Sequence, residues 1–85
     1  MLLSVYYSYA SYMNNEQKLM KTFGKRVAEV RKSRGITQQQ LAELTGMSVV
    51  AIAYIETGKR WARLGTLSKI AQHLKVNISD LFVGI

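Results

Sequence analysis

A nearly uncharged stretch lies between two groups of basic residues in this chain of 85 residues. Residues 37–58 contain two charged side chains, Glu43 and Glu56. The basic residues on either side are Lys25, Arg26, Arg31, Lys32 and Arg34 before the stretch, and Lys59, Arg60 and Arg63 after it. Such side chains donate hydrogen bonds to phosphate oxygens. The pattern predicts a surface that binds a polyanion at its two edges and presents a neutral segment between them.

Composition narrows the class of protein further. Twelve Lys and Arg against five Asp and Glu give a net charge of +7, which favours nucleic acid over an anionic membrane as partner. With no Cys and one His, the sequence offers no set of about four ligands for a tetrahedral zinc ion, so no metal and no cofactor are expected. We see no nucleophile with an adjacent base and no glycine-rich phosphate loop, so an enzyme is not expected. A cytoplasmic location fits the absence of Cys.

The elements that must position these residues are helical. Phe23, Val27 and Val30 follow the i, i+4, i+7 spacing of a helix that buries one side. Gly35 can adopt the left-handed backbone conformation that ends a helix. Helix 1 is therefore predicted from about residue 22 to Gly35.

A second helix is predicted over residues 38–45. Thr37 precedes Gln40 by three residues, the capping-box spacing in which each side chain accepts a hydrogen bond from the other residue's backbone N–H. Gly46 provides its stop. The apolar residues of this helix are Leu41, Ala42 and Leu44.

A third helix is predicted over about residues 49–57, with Ser48 as its N-cap and Gly58 as its stop. Only residues 46–48 separate it from the second helix. This is the spacing of a helix-turn-helix.

Two further helices complete the prediction. Residues 66–74 place four apolar side chains on one face, and Asn77 with Asp80 caps a short fifth helix that ends near Phe82. The four apolar side chains are Leu67, Ile70, Ala71 and Leu74. The predicted fold is all-α, with five helices around one core, in a single small domain.

The first thirteen residues are uncharged and contain four Tyr and three Ser. They are too short to span a bilayer. One alternative is an ordered arm or helix, because one helical stripe would hold Leu2, Tyr6, Tyr9 and Met13. The others are a strand, or a passenger segment with Met13 or Met20 as the working start. The chain is therefore divided into residues 1–21, an N-terminal arm or extra helix, and residues 22–85, the helix-turn-helix domain.

The helix-turn-helix region carries a set of residues that matches a known pattern. The matching residues are Gly35, Thr37, Gln38, Leu41, Ala42, Gly46, Ser48, Ile52, Ile55, Glu56 and Gly58. With them, residues 23–82 resemble the phage-repressor-like (XRE-type) helix-turn-helix family, which includes phage repressors and the controller proteins of restriction-modification systems. The resemblance implies a lambda-repressor-like bundle in which helix 3 enters the major groove of DNA and helix 2 lies across the backbone. It also implies a structural salt bridge between Arg31 and Glu56.

Specific DNA contacts can be assigned to this framework. The residues expected to contact bases are Ser48, Val49, Val50, Ala51 and Tyr54. Those expected to contact phosphates are Gln38, Lys59, Arg60, Arg63 and Lys25. Val49 and Val50 cannot both join Ile52 on one narrow inner stripe, so they are expected near the outer surface.

The sequence departs from the family pattern in three places. Family members have polar residues at the start of helix 3, often Pro where this chain has Ala62, and frequently Gly where it has Lys75. The turn at Lys75 is one that favours a positive φ. Apolar side chains at the start of helix 3 can pack on the thymine C5-methyl group, so specificity is expected from such contacts together with DNA shape.

The expected function is that of a sequence-specific DNA-binding transcriptional regulator that binds a pseudo-palindromic operator on double-stranded DNA as a homodimer. The residues expected at the dimer interface are Ile78, Phe82, Val83 and Ile85, because the C-terminal stretch is more apolar than one small domain can cover. The alternative is a protein-interaction module, such as an antitoxin or accessory subunit, in which the surface of residues 49–51 binds protein.

Overall fold

The structure is a computed structural model that describes the backbone of residues 2–84 and the side chains of residues 15–84. This part of the chain contains four α-helices followed by one short 3-10 helix. The α-helices are α1 (Leu2–Ser33), α2 (Gln38–Thr45), α3 (Val49–Glu56) and α4 (Leu64–Leu74). The 3-10 helix spans Ile78–Phe82. The all-α class is thus as predicted.

The fifth helix of the predicted bundle is not an α-helix. It is a 3-10 helix of five residues, in which the Asp80 N–H donates to the Asn77 carbonyl at 3.0 Å. The prediction of five helices is therefore corrected to four α-helices and this turn. Helical segments this short frequently adopt the 3-10 form, whose tighter i to i+3 hydrogen bonds satisfy their backbone groups.

Helix α1 begins at Leu2 rather than near residue 22. Its 32 residues correspond to a length of about 48 Å at 1.5 Å per residue, and the molecule measures 50 Å along its longest axis. Residues 2–21 are therefore helical and continuous with helix 1, and the backbone excludes the strand alternative for them. The division of the chain at residue 21 stays a prediction. The stripe formed by Leu2, Tyr6, Tyr9 and Met13 concerns side chains that lie outside the described residues.

One apolar core joins α1, α2, α3, α4 and the 3-10 helix. Its fully buried side chains are Phe23, Val27, Leu41, Ile52, Ile55, Ile70, Leu74 and Leu81. Most of them lie on the apolar faces predicted in the sequence, whereas Leu81 belongs to the C-terminal stretch that was expected to exceed what the domain can cover. Leu44 does not belong to it and is 47% exposed. The buried face of α2 is formed by Leu41, Ala42 and Thr45, and Leu44 lies about 100° from the centre of that face at 100° per residue.

A left-handed residue follows each of the four α-helices, with φ 70° at Gly35 after α1 and 74° at Gly58 after α3, as predicted. Gly46 ends α2 with φ 71° and its N–H donates to the carbonyls of that helix's last turn. Lys75 ends α4 with φ 59°, so this chain places a side chain in a conformation that favours glycine. Both residues redirect the chain sharply, and the turn at Gly46 sets the angle between α2 and α3.

Candidate nucleic-acid interface

The turn between α2 and α3 is fixed by caps at both helix starts. Thr37 Oγ1 accepts from the Gln40 N–H at 3.0 Å, while Gln40 Oε1 accepts from the Thr37 N–H at 2.8 Å. Ser48 Oγ accepts from the Ala51 N–H at 3.1 Å at the start of α3. Because these bonds satisfy N–H groups that a helix start leaves unpaired, both helices begin at defined residues and α3 has a fixed direction.

Helix α3 buries one face and presents the other to solvent. Ile52, Ile55 and Glu56 are buried. Val49, Val50 and Tyr54 are 43%, 55% and 44% exposed, and Ala51 and Ala53 are half-buried between them. The five residues predicted to contact bases therefore lie along the start and outer face of one helix. Most of that face is hydrocarbon.

Few hydrogen-bonding groups remain on this face. The Ser48 oxygen is occupied as a cap acceptor, so its hydroxyl hydrogen is the part that can donate to a partner. The Tyr54 hydroxyl is the other polar group among the residues predicted to contact bases. The structure thus gives α3 at most two side-chain groups for hydrogen bonds to base edges.

The segment that follows α3 is basic and exposed. Lys59, Arg60 and Arg63 all lie at the surface there. The Lys59 ammonium lies 5.7 Å from the centroid of the Tyr54 ring, within the range of a cation–π interaction. This contact places a positive charge beside the outer face of α3. Lys25, on α1, is exposed as well.

Arg31 and Glu56, the pair expected to form a structural salt bridge, meet in a bidentate arrangement. Arg31 Nε donates to Glu56 Oε2 at 2.7 Å and Arg31 Nη2 donates to Oε1 at 3.0 Å. Both side chains are more than nine-tenths buried. The third guanidinium nitrogen donates to the Ile36 carbonyl at 2.7 Å. The pair therefore joins α1, the loop before α2 and the last turn of α3.

Gln38 belongs to the same network. Its amide nitrogen donates to Glu56 Oε1 at 3.0 Å, so one of the two amide hydrogens that could reach a phosphate points at a carboxylate of this chain. The second amide hydrogen and the backbone N–H groups of the first turn of α2 remain as donors for an anion. This contact was not predicted from the sequence, because Gln38 and Glu56 lie 18 residues apart and no local pattern links them.

The residues predicted for the dimer interface differ in how far they are exposed to solvent. Ile78 is half-buried against the core, whereas Val83 is 56% exposed. The centroid of the Phe82 ring lies 5.0 Å from the centroid of the Phe23 ring on α1. The centroid of the Trp61 ring lies 5.8 Å from that of Phe23. Ile85 lies outside the described residues. Trp61 and Phe82 thus border Phe23, Leu19 lies one helical turn before it on α1 and beside Trp61, and Val83 follows Phe82; we call these four exposed residues the Phe23 patch.

Membrane and metal features are absent from the part of the chain that the structure describes. No helix there combines the length and apolar character needed to cross a membrane. Within the same residues, no three His, Asp or Glu side chains approach one another as metal ligands do.

Two short helices at a fixed angle, with an exposed outer face on the second and basic residues beside it, define a helix-turn-helix protein. The chain belongs to the helix-turn-helix family HTH_3, whose model matches residues 27–81. The XRE-type resemblance predicted from the sequence is thereby confirmed.

Curated relatives carry the same region within longer chains. Residues of this protein are 36% identical over 59 positions to the HTH-type transcriptional regulator PuuR of Escherichia coli, covering 69% of this chain and 32% of the relative. They are 38% identical over 63 positions to the HTH-type transcriptional repressor RghR of Bacillus subtilis, covering 73% of this chain and 47% of the relative. The chain therefore spans less than half the length of these two relatives.

A solved structure of similar size supports the same fold. The restriction-modification controller protein C.AhdI from Aeromonas hydrophila superposes with a TM-score of 0.72 and is 32% identical in sequence. The match covers 74% of this chain and 96% of that one.

Proposed function

We propose that this protein is a sequence-specific DNA-binding transcriptional regulator in which α3 enters the major groove of double-stranded DNA and α2 lies across the backbone. The observation that carries the proposal is the position of α3. Its outer face is exposed, it is held in place by a buried salt bridge at one end and a cap at the other, and basic residues follow it directly. Helix-turn-helix proteins bind DNA through this arrangement.

Affinity in this proposal comes from the phosphates. The donors are Lys25, the free groups of Gln38 and the first turn of α2, and the three basic residues after α3, Lys59, Arg60 and Arg63. Each contact with a phosphate releases condensed counterions, so the affinity falls with salt concentration. Such contacts set the position of the protein on the duplex without reading its sequence.

Specificity comes from the outer face of α3. Ser48, Val49, Val50, Ala51 and Tyr54 lie where the bases of the major groove would be. Val49 and Val50 pack on thymine methyl groups, while the Ser48 and Tyr54 hydroxyls supply the remaining hydrogen bonds. Because methyl contacts discriminate weakly, sequence-dependent DNA shape adds to the specificity.

Two copies of the chain act together in this proposal. A two-fold contact through the Phe23 patch and the C-terminal residues, Ile78, Phe82, Val83 and Ile85, forms a homodimer. Two copies of α3 then lie about 34 Å apart, one turn of B-DNA, and enter successive major grooves of a pseudo-palindromic operator. The exposure of four large apolar side chains, two of which pack on the buried Phe23 ring, supports this surface as the interface.

A gel-shift experiment tests the proposal directly. The protein is titrated onto genomic fragments, including the DNA upstream of its own coding sequence, at several salt concentrations and with excess competitor DNA. A retarded complex on particular fragments, with an affinity that falls as salt rises, is the expected result. Binding that is equal on all fragments, or absent, contradicts the proposal.

The exposed apolar face of α3 also favours a second candidate, a protein-interaction module such as an antitoxin or accessory subunit. Val49, Val50 and Ala51 would then pack on another protein instead of on DNA. The gel shift separates the two, because this candidate predicts no sequence-dependent retardation. Under either candidate the chain is cytoplasmic, has no enzymatic activity and works without a metal, a cofactor or a membrane.

A further inference from the structure

The outer face of α3 offers methyl groups to whatever lies against it. Val49 and Val50 are both exposed, Ala51 and Ala53 lie half-buried between the exposed positions, and the Ser48 oxygen is turned back to cap the helix. The one acidic side chain of α3, Glu56, is buried in its salt bridge. A partner that fits this face must therefore be apolar where it meets the two Val side chains.

Most of the major-groove floor does not meet that requirement. The edges of all four bases carry hydrogen-bonding groups, and these lose water without gaining a partner when Val covers them. The C5-methyl group of a pyrimidine is the apolar exception. Thymine carries it in unmodified DNA, and 5-methylcytosine carries the same group at the same ring position.

The surroundings of this face match a nucleic-acid partner in charge. Lys59 lies over the Tyr54 ring at the edge of the face, and Arg60 and Arg63 follow in the exposed segment after α3. These side chains would meet the phosphates that border the groove. They supply affinity that the methyl contacts do not, so α3 can remain uncharged and still lie against the bases.

We propose that α3 recognises the C5-methyl group of pyrimidines, so that the protein binds a site containing 5-methylcytosine more tightly than the same site containing cytosine. This inference rests on the proposed function, because it assumes that α3 lies in the major groove. It adds a class of ligand, DNA methylated at cytosine C5, and with it a response of binding to the methylation state of the site.

The test compares pairs of duplexes that differ by one methyl group. A binding site is first obtained by selection from a random duplex library, and its affinity is measured by gel shift. At each position of that site, thymine is then replaced by deoxyuridine, and cytosine by 5-methylcytosine. At the positions beneath α3, we expect deoxyuridine to weaken binding about fourfold and 5-methylcytosine to strengthen it about fourfold, the value of one buried methyl group.

A variant of α3 tests whether the side chains of Val49 and Val50 cause the difference between the two duplexes of each pair. In the double variant Val49→Ser and Val50→Ser, the difference between each pair of duplexes should disappear, while circular dichroism shows an unchanged helix content. Leu44→Ser is the matched control, because Leu44 is an exposed apolar residue on the adjacent helix α2, and this variant should keep the full difference.

Each remaining outcome has a distinct meaning. Binding that ignores the methyl group in every pair overturns this inference, together with the thymine-methyl contacts of the proposed function, and leaves DNA binding through α3 intact. Discrimination that persists in the double Ser variant overturns the assignment to α3. A library from which no duplex is selected overturns the proposed function itself.

Discussion

Gly24 of α1 lies directly against the backbone carbonyls of Ile55 and Glu56 at the end of α3. A Cβ atom at Gly24 would lie 2.7 Å from the Glu56 carbonyl oxygen, and closer still to that of Ile55. Real Cβ atoms do not approach backbone oxygens this closely, so the absence of a side chain at Gly24 is what lets the two helices meet. This contact brings α1 close enough for Arg31 to reach Glu56.

Gly24→Ala should therefore destabilise the protein by about 2–3 kcal/mol, because the extra methyl group forces α1 and α3 apart. Thermal or urea unfolding followed by circular dichroism measures the loss. Gly65→Ala is the matched control, since Gly65 also lies in a helix but a Cβ atom there would meet nothing within 4 Å. It should be neutral or raise stability by about 0.5–1 kcal/mol. Equal effects of the two changes would contradict the account of the contact.

The Arg31–Glu56 salt bridge predicts a second stability effect. Glu56→Gln leaves the buried guanidinium of Arg31 without its counter-charge, which should cost roughly 3–5 kcal/mol of unfolding free energy. Glu29→Gln provides the comparison, because Glu29 is exposed and forms an ion pair at 3.8 Å with the partly buried Arg26. That change should cost less than about 1 kcal/mol. If Glu56→Gln melts like the wild type, the buried pair does not hold α1 and α3 together.

Arg60 predicts a change in the salt dependence of DNA binding. Arg60→Ala should weaken binding by a similar factor on every duplex. It should also reduce the magnitude of the negative slope of log K against log salt by about 0.9, the contribution of one phosphate contact. Lys69→Ala removes one positive charge from an exposed position on α4 and should leave the slope unchanged. A slope that does not respond to Arg60→Ala would remove this residue from the phosphate contacts.

The starts and ends of α2 and α3 could be predicted from the sequence. The capping box at Thr37, the N-cap at Ser48 and the stop at Gly46 each depend on residues within one helical turn, so the bounds of α2 and α3 follow from near neighbours. The core stripe of Phe23 and Val27 follows from helical periodicity. The family resemblance added the Arg31–Glu56 pair, which no spacing rule provides.

Other features depend on how the helices approach one another. The role of Gly24 could not be predicted, because nothing in the sequence near it shows that it faces the end of α3. The bond from Gln38 to Glu56 depends on the angle between α2 and α3. A helix before residue 22 was one of the alternatives drawn from the sequence, but its continuity with helix 1 was not predicted, since Tyr, Ser and Val are intermediate helix formers.

The Phe23 patch predicts where two copies of the chain would meet. Val83 is its most exposed member, and it lies beside Phe82, whose ring packs on Phe23. Val83→Asp should therefore convert a dimer into a monomer at micromolar concentration, because a charge at a buried interface loses its water without a partner. Sedimentation or light scattering measures the assembly. Val83 is preferable to Phe82 for this change, since Phe82→Asp would also disturb the packing of Phe23.

The control for this change is Leu64→Asp, which places the same charge at a more exposed apolar position on α4, 73% exposed and not a member of the patch. It should leave the dimer intact. The monomeric Val83→Asp protein should melt close to the wild-type monomer but bind its operator far more weakly, because one copy of α3 supplies half of the phosphate and methyl contacts. A Val83→Asp protein that remains dimeric would move the interface to another surface, such as the N-terminal part of α1. A wild-type protein that stays monomeric even on its operator would contradict the dimer altogether.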